Sequence, residues 1–432
     1  MSERSALAHL YRRVGFGARP DELDAAVKAG YAATVAALLD RSRPDPGVQS
    51  TPPPTLPLDA RPGKAADAAG RRAYQQAEAA AKEALVLWWL DRMVVAANPL
   101  PEKLALFWHG HFATSVQKVG SAALMLRQNE LFRSLGAGDF GALANAVSKD
   151  AAMLIWLDAR SNKKARPNEN FARELMELFT LGIGNYTETD VKEVARAFTG
   201  WAEEGAGGTA AYRFNARQHD DGSKTVLGHT GNLDGESVIA LLAGSPASAR
   251  WVVSRMWSRF ARPVAPHDPQ VDALLPAYGG RDCGALLRAV LSAPTFTSAE
   301  VQQGLVKQPV EWAVGALRAL RLRATDKRLA SSLTALGQLP FAPPSVGGWP
   351  ANEAWLTTAS SLTRVQLAQS MVAKADLSLV ADAAPGDRPD AVAHLLSLDG
   401  WSARSAMALR SAADDPARLV TLALVSPEYV VN

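Results

Sequence analysis

Between Asn168 and Leu181 the chain gathers three carboxylates, one arginine and amide side chains, with no lysine. Placed at about 100° per residue, Glu169, Asn170, Arg173, Glu174, Glu177 and Thr180 fall on one side of a helix. Phe171, Ala172, Leu175, Met176, Leu178 and Phe179 take the other side, and Leu181 is the exception. Two chemistries compete for the polar face. Glu169, Arg173 and Glu177 stand four residues apart, the spacing of a solvated ladder worth about a few tenths of a kcal/mol per pair. Alternatively the face looks into a cavity, where crowded carboxylates bind a metal or one of them acquires a raised pKa for acid–base work. In that reading Glu174 and Glu177 are the candidate catalytic groups, and Arg173 and Asn170 hold substrate.

Trp108-His109-Gly110-His111-Phe112 holds two of the seven histidines. In an unbroken helix, residues two apart point about 200° away from each other, so a single metal cannot take both. A break at Gly110 would bring His109 and His111 together to assist the carboxylates. The competing reading is one buried, hydrogen-bonded histidine and one unrelated one. His219, Asp220 and Lys224 flank a turn. Turns favour Asp and Gly for backbone reasons alone, yet these three side chains also suit an anionic or hydroxylated ligand. Thr187-Glu188-Thr189-Asp190 reads as a capping box, which accounts for Thr187 and Asp190 without chemistry. Arg160, Lys163, Lys164 and Arg166 read as a solvated basic loop. The helix at 250–260 mixes arginine with aromatics at helical spacing, which packing explains for the most part.

The elements that must position these groups are helical. A long helix is expected from Ala68 to Ala97, ended by Asn98-Pro99, and further helices over 101–116, 121–135, 139–149, 168–181 and 188–201. Residues 43–66 carry Pro44, Pro46, Pro52, Pro53, Pro54, Pro57 and Pro62 and read as a loop or linker. Strand signals are scarce, and the best is 212–215 and 224–228 around Asp220-Asp221-Gly222-Ser223, a short hairpin. The expected fold is all-α with a small β-hairpin insertion near 212–228. Its regions are 1–42, the proline-rich 43–67, a central 68–232 carrying the candidate site, and a helical 233–432.

Composition narrows the function classes. The chain has 432 residues, is 48% hydrophobic and has a formal net charge of +3, too balanced to indicate a nucleic-acid or membrane-surface partner. Cys283 is the single cysteine, excluding an intrachain disulfide or a cysteine-based zinc cluster, and reads as structural. No leader-like apolar segment opens the sequence and no stretch is long enough to span a bilayer, so a cytoplasmic location is expected. The phosphate-loop, dinucleotide, HExxH and GxSxG signatures are missing.

Several of these motifs resemble one bacterial family. They are His9-Leu-Tyr-Arg-Arg-Val-Gly-Phe-Gly17, Phe107-Trp-His-Gly-His-Phe112, and Pro167 through Gly182. Tyr186–Val191, Ala197–Trp201, His219-Asp220 with Lys224 and Leu227-Gly228, Gly347-Gly348-Trp349-Pro350 and Trp355 belong to the same set. The family is catalogued as domain of unknown function eighteen hundred. The resemblance assigns no reaction. It implies a sulfatase-like protein of the alkaline phosphatase superfamily as partner, and exported relatives.

Two functions follow as expectations. One is a metal-assisted hydrolase or transferase acting on a saccharide or ester, with a divalent metal as its candidate cofactor and Arg173 and Lys224 on a substrate anion. The other is a non-catalytic binding or scaffold protein that holds a glycan or protein partner in the same cleft or at the Trp349 region.

Overall fold

The computed structural model of the chain describes residues 2–58 and 67–431. Its helices start where short polar side chains accept the first unpaired N–H groups. Asp67 accepts from Gly70, Ser121 from Leu124, Thr187 from Asp190 and Ser245 from Ser248. The helices that frame the argument are α1 (Glu3–Val14), α2 (Ala68–Val95), α3 (Leu100–His111), α4 (Ala122–Leu135), α5 (Glu169–Glu174), α6 (Glu188–Ala197), α7 (Pro246–Phe260) and α8 (Pro309–Ala319). Among the described residues the strands form only two small antiparallel pairs, so the fold is all-α with a small β insertion.

The insertion differs from the expected hairpin. β1 (Trp201–Glu204) pairs with β2 (Ala211–Phe214), with Trp201 opposite Phe214. β3 (Lys224–Val226) pairs instead with β4 (His229–Gly231), with Lys224 opposite Gly231. Leu227 and Gly228 both take positive φ, 48° and 81°. That is the backbone of a two-residue type I′ hairpin turn, so the strand beginning at Lys224 folds back on itself and leaves Tyr212 to β1. Leucine seldom adopts this conformation, which hid the turn. The proline-rich segment also holds one helical turn, Pro46–Gln49, with Pro46 at the position where a missing N–H costs nothing. Pro62 lies outside the described residues.

Buried apolar side chains from Leu7 to Val430 form one continuous cluster, to which residues on both sides of 232 contribute. Several polar groups enter it with partners in place. Glu102 accepts from Trp89 Nε1 at 2.9 Å, Arg92 Nε at 2.7 Å and two Arg133 nitrogens at 2.9 Å. Arg318, on α8, donates to the carbonyls of Val94 and Ala96 at 2.8 Å, just at the end of α2. It also donates to Gly17 at 3.2 Å and to the Glu22 carboxylate at 2.9 and 3.0 Å. It thereby joins the first helices to α2 and α8. Replacing Arg318 by Met strands those carbonyls and Glu22, and we expect a loss of about 3–5 kcal/mol in urea unfolding. Arg321→Met, which breaks an exposed pair with Asp21, should leave the midpoint nearly unchanged.

Candidate functional site

The carboxylate-bearing helix changes its winding. α5 ends at Glu174 and continues as a π-helix over Leu175–Thr180, with Leu181 N bonded to Met176 O at 2.8 Å. The wider turn defeats a wheel drawn at 100° per residue. Thr180, expected on the polar face, is fully buried and donates to Leu175 O at 2.7 Å. Glu169 and Asn170 are exposed. Arg173 ignores the expected ladder and grips Glu188 on α6 with two bonds, at 2.7 and 2.8 Å. Glu177 accepts from the Tyr186 hydroxyl. Glu174 is half-buried and makes no hydrogen bond or ion pair among the described residues. Burial, and then the charge of Glu177, raise its pKa above the ordinary carboxylate value.

α3 runs unbroken through Gly110, so its two histidines point apart. His109 Nε2 accepts from the backbone N–H of Phe341 at 3.0 Å, which places its proton on Nδ1. His111 Nε2 lies 2.9 Å from the carbonyl of Phe179 and must donate to it. Both rings are buried, and burial pushes both pKa values down to about 3, with Arg255 adding to the effect on His111. No carboxylate contributes to either shift.

The third candidate group is a staple. Arg196 binds Asp220 at 2.7 and 3.1 Å and Glu193 at 2.9 Å, and Glu193 also accepts from Thr225 N at 3.1 Å. Asp220 is drawn down to about 2, chiefly by its bonds from Arg196. Lys224 is buried and donates to Gly222 O at 2.9 Å, while His219 Nδ1 meets Thr199 O at 2.8 Å. Asp190 closes its capping box on Thr187 and also accepts from Leu227 N at 2.8 Å. Together these bonds fasten β3 to α6. The acidic face, the two histidines and the hairpin cluster thus have separate partners. Among the described residues no three His, Cys, Asp or Glu side chains are placed to hold a metal ion. Cys283 is buried and burial raises its thiol pKa, the setting of a packed residue.

A cleft at the Trp349 region lies beside His109. It is walled by the end of α3 (Phe107, Gly110), by Arg255, Ser258 and Arg259 of α7, and by the loop Trp349–Asn352, and holds about 120 Å³. Gly348 shapes it. Its φ is +83°, and a Cβ there would stand 2.4 Å from the Gly110 carbonyl oxygen, so only glycine lets the loop rest on α3. Trp349 then packs edge-on against His109, ring centres 5.2 Å apart. Three polar atoms here lack partners. Arg255 makes no hydrogen bond or ion pair among the described residues, only a contact 5.6 Å above the Trp251 ring. Arg259 Nη2 and Trp349 Nε1 are also unbonded. The available signal was α7 itself, which carries three arginines and no acid.

A helical fold of this composition, with these motifs at the end of α3, along α5 and in the Gly347–Pro350 loop, defines one class of protein. The chain belongs to the family described as protein of unknown function (DUF1800), whose model matches residues 9–431. No curated protein and no solved structure is significantly similar to it. Among the described residues no helix is long and apolar enough to cross a membrane.

The histidine burial has a measurable consequence. Unfolded, each imidazole titrates near its ordinary value; folded, it stays neutral down to about pH 3. The unfolded chain therefore binds more protons in between, and stability is complete above about pH 6.5 and falls as the pH drops below it, by about 1.4 kcal/mol per unit for each histidine. His111→Gln should make the fall of urea-unfolding free energy below about pH 6.5 shallower by that amount. An unaltered slope would refute the neutral, buried assignment.

Proposed function

We propose that this chain is a binding protein that receives part of an extended ligand, a glycan or a segment of a partner, in the cleft under Trp349. The observation that carries the reading is the contrast in hydrogen bonding. Arg173, Glu177, His109, His111, Asp220 and Lys224 are engaged with other parts of the chain. Three donors without partners, Arg255 Nε, Arg259 Nη2 and Trp349 Nε1, lie instead around one preformed concavity. Buried polar groups are normally paired, so donors left open at a cleft support a ligand as their missing partner. At about 120 Å³ the space is below the roughly 300–1,000 Å³ that encloses a drug-sized molecule. A terminal group enters, and the rest of the ligand lies across the rim.

A second reading keeps catalysis, and Glu174 is what favours it. It is a half-buried carboxylate of the acidic face without a hydrogen-bond or ion-pair partner among the described residues, its pKa is raised, and it precedes a π-helical segment, a feature frequent at functional sites. In that reading Glu174 acts as a general base on a saccharide or ester.

Ligand-observed NMR against a panel of soluble oligosaccharides and short peptides separates the two. Hits should lose at least about tenfold in affinity with Trp349→Ala, which removes a wall of the cleft. They should be unaffected by Glu174→Gln and remain chemically unchanged on incubation. Hits insensitive to Trp349→Ala, or a product whose formation requires Glu174, would reject the binding reading.

A further inference from the structure

Resting on the reading of the Trp349 cleft as the ligand site, we infer that the group it accepts is an oxyanion, a carboxylate, phosphate or sulfate, held by the Arg255 guanidinium. Charge balance at the cleft carries the argument. Its lining contains Arg255 and Arg259 and no acidic residue. Arg255 has no carboxylate partner among the described residues, and the charge it feels most is the repulsion of Arg259. Arg259 reaches one carboxylate, Glu311, at 2.7 Å. That carboxylate is already shared with Lys103, which also donates to Gly15 O at 2.9 Å.

The ground behind the cleft is positive too. Arg13 and Lys103 are both buried near Glu311. Attraction to Arg259 and Lys103 outweighs burial and holds Glu311 ionised down to about 2, so it neutralises only part of this charge. Burial lowers Lys103 only to about 8, which leaves it protonated at neutral pH. Arg255 is partly buried with its Nε closed off and unpartnered, which is costly without a counter-charge, and a planar or tetrahedral oxyanion supplies the bidentate acceptor that it lacks. The space left between Arg255, Gly110 and Trp349 admits a group of that size and little more.

The distinguishing variant is Arg255→Met, because an arginine that merely supports the fold and one that awaits an anion respond oppositely. Thermal unfolding of the full chain is followed in sodium sulfate, sodium phosphate and sodium acetate, each against sodium chloride at equal ionic strength. The native chain should gain melting temperature in at least one of the three, with saturation. The rank of acetate against the two tetrahedral anions tells which oxyanion shape the cleft fits. Arg255→Met should abolish the gain, raise the apparent dissociation constant at least tenfold, and melt no lower than the native chain in chloride. Arg250→Met, which removes an arginine of the same helix paired with Asp272, should keep the gain.

No gain over chloride for the native chain, or an equal gain in Arg255→Met, overturns the inference. A neutral oligosaccharide that binds in a Trp349-dependent manner while none of the anions competes with it would overturn the anion assignment and leave the binding role intact. Loss of both would remove the cleft as a site.

Discussion

Everything near the cleft depends on how the segment from Phe341 to Asn352 is clasped to the end of α3. The backbone of Phe341 donates to His109 and accepts from Val116 at 2.8 Å, so one residue bridges the last turn of α3 and the chain that follows it. A few residues on, Gly348 lies against the carbonyl of Gly110 at a distance that no side chain permits. These contacts fix His109 as a neutral acceptor, set Trp349 beside its ring, and leave Gly110 facing the cleft. They also account for the His-Gly-His spacing. Each imidazole satisfies a backbone group that would otherwise be buried without a partner, and the glycine between them leaves room for the loop.

The same economy recurs elsewhere in the polar interior. Glu102, Arg318, Asp190 and Asp220 each satisfy several groups at once, joining segments far apart in sequence. Buried charge of this kind is costly to break and contributes modestly when intact. Its role is to fix which helix ends meet. Against that background an arginine with no partner, Arg255, is conspicuous. So is Glu174 at the start of the π-helical turn, although it keeps partial access to solvent.

The helices were largely legible because apolar residues recur at helical spacing and short polar residues precede them. The capping box at Thr187 followed from local sequence alone. What escaped was decided by backbone geometry or by distant partners. The π-helical winding after Glu174 leaves no mark in side-chain type, so Thr180 was assigned to the wrong face. The turn at Leu227-Gly228 uses a leucine where Asn or Asp is the usual signal, so the strands were paired incorrectly. Arg173 and Glu177 met Glu188 and Tyr186 from the next helix and its approach, in place of each other, because tertiary neighbours outcompete a weak ladder. For α7, packing accounted for Trp257 and Phe260 but not for three arginines without an acid. The Gly347-Gly348-Trp349-Pro350 motif was visible from the start, whereas its seat on Gly110 required the fold.

The most direct test of the account is a crystal structure of the full chain with a ligand identified by screening. The account places that ligand's terminal group between Arg255 and Trp349, with the Gly348 loop in the position described above. Density on the Glu174–Tyr186 face with an empty Trp349 cleft would contradict it.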